Sequence, residues 1–223
     1  MDGRRAGGAQ HIPRPAVWSL GEVALPVSHP LTVTVQEIAA ALVGAPVGRP
    51  VTPAFADARP SAVLIALADG PSGAEVLLTR RAEHLSSHRG EMSFPGGRID
   101  AGETPLQAAL REANEEVGLD PAVAMVLGEL DHLNTVVSRS YIVPIVARLP
   151  ECLPLAATSS EVVRVLWLPL AELVRIDTYR SERWGREPTD RVLHFFELAD
   201  ETVWGATATM LIDLLGRLTG SGG

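Results

Sequence analysis

The sequence predicts an α+β fold, with helices packed on a mixed sheet, on three observations. Residues 62–68 (AVLIALA) are continuously apolar, and Asp69-Gly70-Pro71-Ser72-Gly73 then turns the chain into a second strand at 75–81. Two stretches, about 105–117 and 203–218, repeat apolar residues at helical spacing. Between them lie strand-like segments near 125–132, 141–148, 162–168 and 192–198.

Each element has a local reason. Residues 1–30 are rich in Gly and Pro without periodicity, so they read as an extension, partly extended or poorly ordered. A short helix is expected over 34–43, before a second Pro-rich stretch at 44–60. The run 62–68 suits a strand buried on both faces. The short turn after it predicts antiparallel pairing with 75–81. Met92 and Phe94 alternate in a short strand that Pro95 and Gly96-Gly97 should end. Thr104-Pro105-Leu106-Gln107 is a capping box with proline at the first helical position, and Gly118 supplies the left-handed stop. In the last helix, Trp204, Ala208, Leu211, Leu215 and Leu218 fall on one face. The expected organisation is an extension over 1–60 and one domain over 61–220, with no internal repeat.

Composition narrows the function. The 223 residues carry 27 acidic and 19 basic side chains, a net charge of −8. This balance lacks the electrostatic footprint of a nucleic-acid binder. All the basic residues are arginine, so lysine Schiff-base chemistry and a Walker-type lysine are excluded. The single Cys152 excludes an intrachain disulfide framework and a multi-cysteine zinc site. No segment reaches the ~18 apolar residues needed to span a bilayer. Arg4 and Arg5 have no apolar run behind them, so no signal peptide is expected and a cytoplasmic location is the default.

The chemistry concentrates in one helix. Between Asp100 and Asp120 there are six acidic residues and a single basic one, Arg111. Glu112, Glu115 and Glu116 lie at i, i+3 and i+4, on one helix face. Like charges at that spacing destabilise a helix. They become favourable around a hard divalent cation, and Mg²⁺ or Mn²⁺ prefers such oxygen ligands. Arg111 can pair with Glu115 or fold toward Glu103, holding the carboxylates in place.

The frame around these charges is specific. Gly97, Glu103, Arg111, Glu112, Glu115, Glu116 and Gly118 match the Nudix box, G-x5-E-x7-R-E-U-x-E-E-x-G-U, at every charged and glycine position. Ala113 stands at the bulky aliphatic position. The chain therefore resembles the Nudix hydrolases, from about residue 62 onward. The resemblance implies the Nudix fold, an α/β/α sandwich around a mixed sheet, and a nucleoside diphosphate linked to another group as substrate. It also implies Glu112, Glu115 and Glu116 as ligands of Mg²⁺ or Mn²⁺, one of them able to orient or deprotonate water. The Gly97 carbonyl would complete the metal shell, and Glu103 and Arg111 would position the ligands. Such a cation would invert the local field, so that an acidic protein can bind a pyrophosphate.

A second pattern precedes the box. Residues 77–97 (LLTRRAEHLSSHRGEMSFPGG) resemble the coenzyme A pyrophosphatase subgroup, L-L-T-x-R-[SA]-x3-R-x3-G-x3-F-P-G-G. Ser86 stands where that pattern has its second arginine, and Arg89 follows three residues later. Arg80, Arg81, Arg89 and Gly96 are the candidate substrate contacts, since arginine suits bidentate phosphate binding. The implied reaction cleaves coenzyme A or a derivative into 3′,5′-ADP and 4′-phosphopantetheine or its acyl form. The alternatives are a Nudix hydrolase of NADH, ADP-ribose or a damaged nucleotide, and a non-enzymatic Nudix-fold sensor.

Other residues carry less. Glu161 reads either as an auxiliary ligand or base, or as an exposed strand-end glutamate. His84, His88 and His132 lack the spacing of a metal triad. Trp167, Trp184 and Trp204 stack a base or pack the core, and such positions favour the core. Residues 1–60 have three roles open: covering the site, supporting a homodimer, or neither.

Overall fold

The structure, a computed structural model, describes residues 5–27, 31–44 and 48–219. The parts of the expected extension at 1–4, 28–30 and 45–47, and residue 220 of the expected domain, lie outside the described residues. In chain order the elements are β1 (Trp18–Leu20), α1 (Val35–Gly44), β2 (Arg59–Gly70), β3 (Gly73–Arg81), β4 (Met92–Ser93), β5 (Gly96–Arg98) and α2 (Pro105–Val117). A 3₁₀ turn (Pro121–Val123) leads to β6 (Met125–Glu129), β7 (Leu133–Asn134), β8 (Ser140–Arg148), β9 (Val162–Pro169) and α3 (Leu170–Leu173). The chain then forms β10 (Tyr179–Trp184), β11 (Arg191–Glu197), β12 (Thr202–Trp204) and α4 (Gly205–Leu218).

The apolar run at 62–68 lies at the centre of the larger sheet. β2 pairs parallel with β8, from Arg59↔Ser140 to Leu67↔Arg148, and antiparallel with β3 at the hairpin. β9 flanks β3, and β6 and β7 flank β8, so the sheet is mixed. Its two faces are both buried, as the run predicts. Ala62, Leu64, Ala66 and Ala68 pack with Ala108, Ala109, Ala113 and Val117 of α2. The alternate residues, Ile65 and Leu67, pack with Val35 and Ile38 of α1 and Leu211 and Leu214 of α4. This is the expected α/β/α sandwich. Among the described residues no helix is long and apolar enough to cross a membrane.

The sheet splits where the site forms. β2 and β3 pair only from Leu67↔Val76 to Gly70↔Gly73. Beyond that they part, β5 continuing on β2 and β4 on β3. The chain at 92–98 fills the gap. Here the structure corrects one expectation: the strand holding Met92 stops before Phe94, and Gly96–Arg98 is itself a strand. Gly96 and Gly97 pair with Val63 and Ala62, and Gly96 can approach β2 so closely because it lacks Cβ; one there would lie 2.5 Å from the Ala62 carbonyl oxygen.

The ends of α2 are as predicted. The Gln107 N–H donates to Thr104 Oγ1 (3.2 Å), and the Thr104 N–H donates to Gln107 Oε1 (2.8 Å). Gly118 has φ +72°. A left-handed conformation costs an L-residue roughly 1–2 kcal/mol. Gly118→Ala should lose about that much stability, read from urea denaturation; an unchanged midpoint would contradict this account of the stop.

A second sheet, β1-β10-β11-β12, was not expected. The segment near 192–198 is its β11, and the N-terminal extension supplies its edge, Trp18↔Trp184 to Leu20↔Glu182. One side joins the α4 core through Phe196, Leu198 and Val203. On the other, Phe195 stacks on Trp204 (centroids 6.1 Å apart) and under the Arg180 guanidinium (4.0 Å). Glu182, 0% exposed, accepts bonds there from Arg14 Nε (2.9 Å), Trp184 Nε1 (2.6 Å) and Arg180.

Candidate active site

α2 brings three carboxylates toward the split in the sheet. Arg111 organises two of them from within the helix. Its Nη1 donates to Glu112 Oε1 (2.9 Å) and Glu115 Oε2 (3.4 Å). Its Nε and Nη2 grip Glu103 (2.8 and 3.0 Å), and Nη2 also donates to the Arg98 carbonyl (3.0 Å). Of the two partners the sequence offers Arg111, the structure uses both. The Arg111 hydrogen bonds hold the Glu103 carboxyl at about 2, and Glu103 accepts from the Asp100 N–H as well.

Glu116 differs from its neighbours. It is 6% exposed and accepts the Gly96 N–H at 3.2 Å. Burial pushes its carboxyl up to about 7, against the Gly96 bond and the Arg81 charge. Burial also raises Glu112, opposed by Arg111. Glu112 lies so close to Gly97 that a Cβ there would sit 2.3 Å from its Oε1. Glycine at 97 leaves room for the carboxylate above it.

The facing wall comes from β3 and the turn before β9. Arg81 Nη2 donates to Glu161 Oε2 (3.3 Å), and Nη1 lies 3.9 Å from Glu116 Oε1. Together Arg81, Gly96, Gly97, Arg98, Glu112, Glu115, Glu116, Ser159 and Glu161 enclose a cleft of about 450 Å³.

The donor set suits a hard divalent cation: carboxylate oxygens, one of them buried with incomplete charge compensation. The side chains do not yet converge; among the described residues no three His, Cys, Asp or Glu groups stand in a metal-holding arrangement. Arg111 holds the Glu112 and Glu115 side chains through its Nη1.

The structure therefore gathers Glu112, Glu115, Glu116, Arg81, Gly96, Gly97 and Glu161, with Arg111 and Glu103 behind them. It does not bring in Arg80 or Arg89. Successive strand residues point to opposite faces, and Arg80 pairs with Glu83 and Glu201 instead. Arg89 is exposed on the loop after β3 and does not line the cleft. Sequence reasoning missed Arg98 and Ser159 in the lining. Arg98 directly follows Gly97, and that adjacency was the available signal.

The other residues singled out lie elsewhere. His88 pairs with Glu91, and His132 with Tyr141 and Glu129. Trp167 donates to the Leu153 carbonyl, while Trp184 and Trp204 pack with Phe195. Burial pushes the Cys152 thiol up to about 11, which leaves it inert at neutral pH.

Comparison with known proteins supplies the context. The profile described as "NUDIX domain" matches residues 58–193. An uncharacterized Nudix hydrolase, NudL of Yersinia pestis (strain Pestoides F), is 37% identical over 154 residues, covering 69% of this chain and 76% of that relative. Among solved structures, the Nudix hydrolase RenU of M. smegmatis is 26% identical with a TM-score of 0.42, covering 52% of this chain and 73% of that one. A MutT/nudix family protein from Enterococcus faecalis is 16% identical with a TM-score of 0.49, over 76% of this chain and 65% of the other.

Proposed function

The chain belongs to the Nudix family, a hydrolase of nucleoside diphosphate derivatives, and from that premise we propose that it cleaves the diphosphate of coenzyme A or an acyl derivative. The products are 3′,5′-ADP and 4′-phosphopantetheine or its acyl form. One observation carries the substrate reading. The stretch 77–97, which resembles the coenzyme A pyrophosphatase subgroup, is the same stretch that delivers Arg81, Gly96 and Gly97 to the cleft.

The family generally uses divalent cations such as Mg²⁺ or Mn²⁺. In this reading Glu112, Glu115 and Glu116 hold the cation, with Gly97 beside them. When bound, a cation supplies polarisation of a phosphoryl oxygen and a water of lowered pKa. Arg111 and Glu103 keep the ligands oriented. Glu161, across the cleft, is in place to receive a proton from the attacking water or to add an oxygen ligand. Arg98 offers an exposed guanidinium to the diphosphate. No covalent nucleophile is required.

Ser86 favours a second reading, a different dinucleotide such as NADH or ADP-ribose. It is exposed and uncharged where the subgroup pattern has arginine. A panel of coenzyme A, dephospho-coenzyme A, NADH and ADP-ribose, with Mg²⁺ or Mn²⁺ and with product identification, decides between them. Coenzyme A should be hydrolysed fastest, and dephospho-coenzyme A more slowly for want of its 3′-phosphate. Equal or faster turnover of NADH would remove the coenzyme A assignment.

A further inference from the structure

Behind the cleft, on the opposite face of β3, two arginines meet. Arg80 and Arg164 are direct cross-strand partners in β3 and β9. Like charges in that position destabilise a sheet. Glu201, between β11 and β12 of the second sheet and 1% exposed, bridges both, while Asp200 also pairs with Arg164 and Glu83 with Arg80. Its Oε1 accepts from Arg164 Nη1 at 2.8 Å and from Arg80 Nη1 at 3.5 Å. Gln10 of the N-terminal arm donates to its Oε2 at 2.5 Å.

One residue further along, the β3–β9 register slips. Arg80 faces Arg164, but Arg81 faces Val162, so Val163 is left over and stands 57% exposed. A bulge re-aims the side chains beside it. This one advances β9 by a residue. The Ala82 N–H then donates to the Glu161 carbonyl (2.7 Å), and the Glu161 carboxylate comes within 3.3 Å of Arg81. Arg80 Nε and Arg81 Nε, on either side of the slip, are buried without partners. An unpaired buried donor calls for a reason. Holding two guanidinium groups in set directions is such a reason.

We propose that Glu201 is a positioning residue for hydrolysis: by clamping Arg80 and Arg164 beside the bulge, it fixes the backbone from which Arg81 enters the cleft. The second sheet and the N-terminal arm thereby reach the chemistry without touching it. This rests on the reading of the cleft as the hydrolytic site.

The test is a double-mutant cycle between Glu201→Gln and Arg81→Gln, on whichever panel substrate the parent turns over fastest, with Tm measured for every variant. A misplacement of about 1 Å can cost 10²-fold in rate, so Glu201→Gln alone should lower kcat about tenfold. KM should stay unchanged. In the Arg81→Gln background the same change should alter kcat by less than about twofold, the usual margin of additivity. Its Tm shift should be equal in both backgrounds, which separates positioning from general loss of structure. Full multiplication of the two kcat effects, or a neutral Glu201→Gln, would overturn the proposal. If Glu201→Gln does not fold, Arg80→Gln enters the same cycle with the same expected outcomes. Glu116→Gln is run alongside. If it leaves turnover unchanged, the reading of the cleft fails; if it abolishes turnover and the cycle multiplies, only the role of Glu201 fails.

Discussion

Glu116→Gln should lower kcat by about 10²–10³-fold, the range seen when one preorganised electrostatic group is removed from a site. Glutamine keeps the size of the side chain and can still accept the Gly96 N–H. What it removes is the charge that burial already disfavours at this position. Stability should therefore hold or rise, because a neutral amide costs less to bury than a carboxylate. Mn²⁺ affinity, followed by electron paramagnetic resonance, should fall with kcat. That combination distinguishes a ligand from a structural acid, whose loss would lower Tm and leave Mn²⁺ binding intact. An unchanged kcat would remove Glu116 from the mechanism.

The largest stability effect is expected far from the cleft. Glu182→Ala should destabilise the fold by about 3–5 kcal/mol, the usual result of removing one partner from a buried ion pair. It strands the Arg14 guanidinium and the Trp184 indole N–H in one step, and leaves Arg180 with Glu197 alone. Urea denaturation measures it, and a loss under about 1 kcal/mol, the level of an exposed pair, would contradict the account. The pH dependence has a definite sign. Burial alone would raise the Glu182 pKa, but the bonds from Arg14 and Trp184 and the charge of Arg180 hold it below the ordinary value. A lowered folded-state pKa contributes stability that is complete above the unfolded pKa and disappears as pH falls through the folded one. Glu182→Gln should flatten that acid limb.

The helix that carries the carboxylates was legible because its signals are local. Thr104, Pro105, Gln107 and Gly118 mark its ends, and Ala109, Ala113 and Val117 mark its inner face. The central strand was legible because both its faces are buried in hydrocarbon. β10 was not, since its fully buried positions include Ser181 and Glu182, which no hydrophobic pattern registers. Its partners, Arg14 and Arg180, only make sense of Glu182 once the chain is folded. β5 was hidden for another reason: Gly96 and Gly97 read as a strand stop, yet Gly96 lies so close to Ala62 and Val63 of β2 that a side chain there would clash. At the site, the spacing of Glu112, Glu115 and Glu116 was enough to bring them forward. The roles of Arg80 and Arg81 were not separable until the strand assigned them to opposite faces.

The pairing of β1 with β10 also sets an order in time. Residues 18–20 find their partners only at 182–184. During synthesis at roughly 5–20 residues per second, the N-terminal arm emerges about 10–30 s before β10 exists. Until then Arg14 lacks Glu182 and Gln10 lacks Glu201. Contacts so distant in sequence form late and slowly. The core of β2, β3, α2 and β8 can assemble in the interval, because its segments lie within 59–148. The arm then closes over an already shaped molecule, and the bulge beside the cleft receives its clamp last.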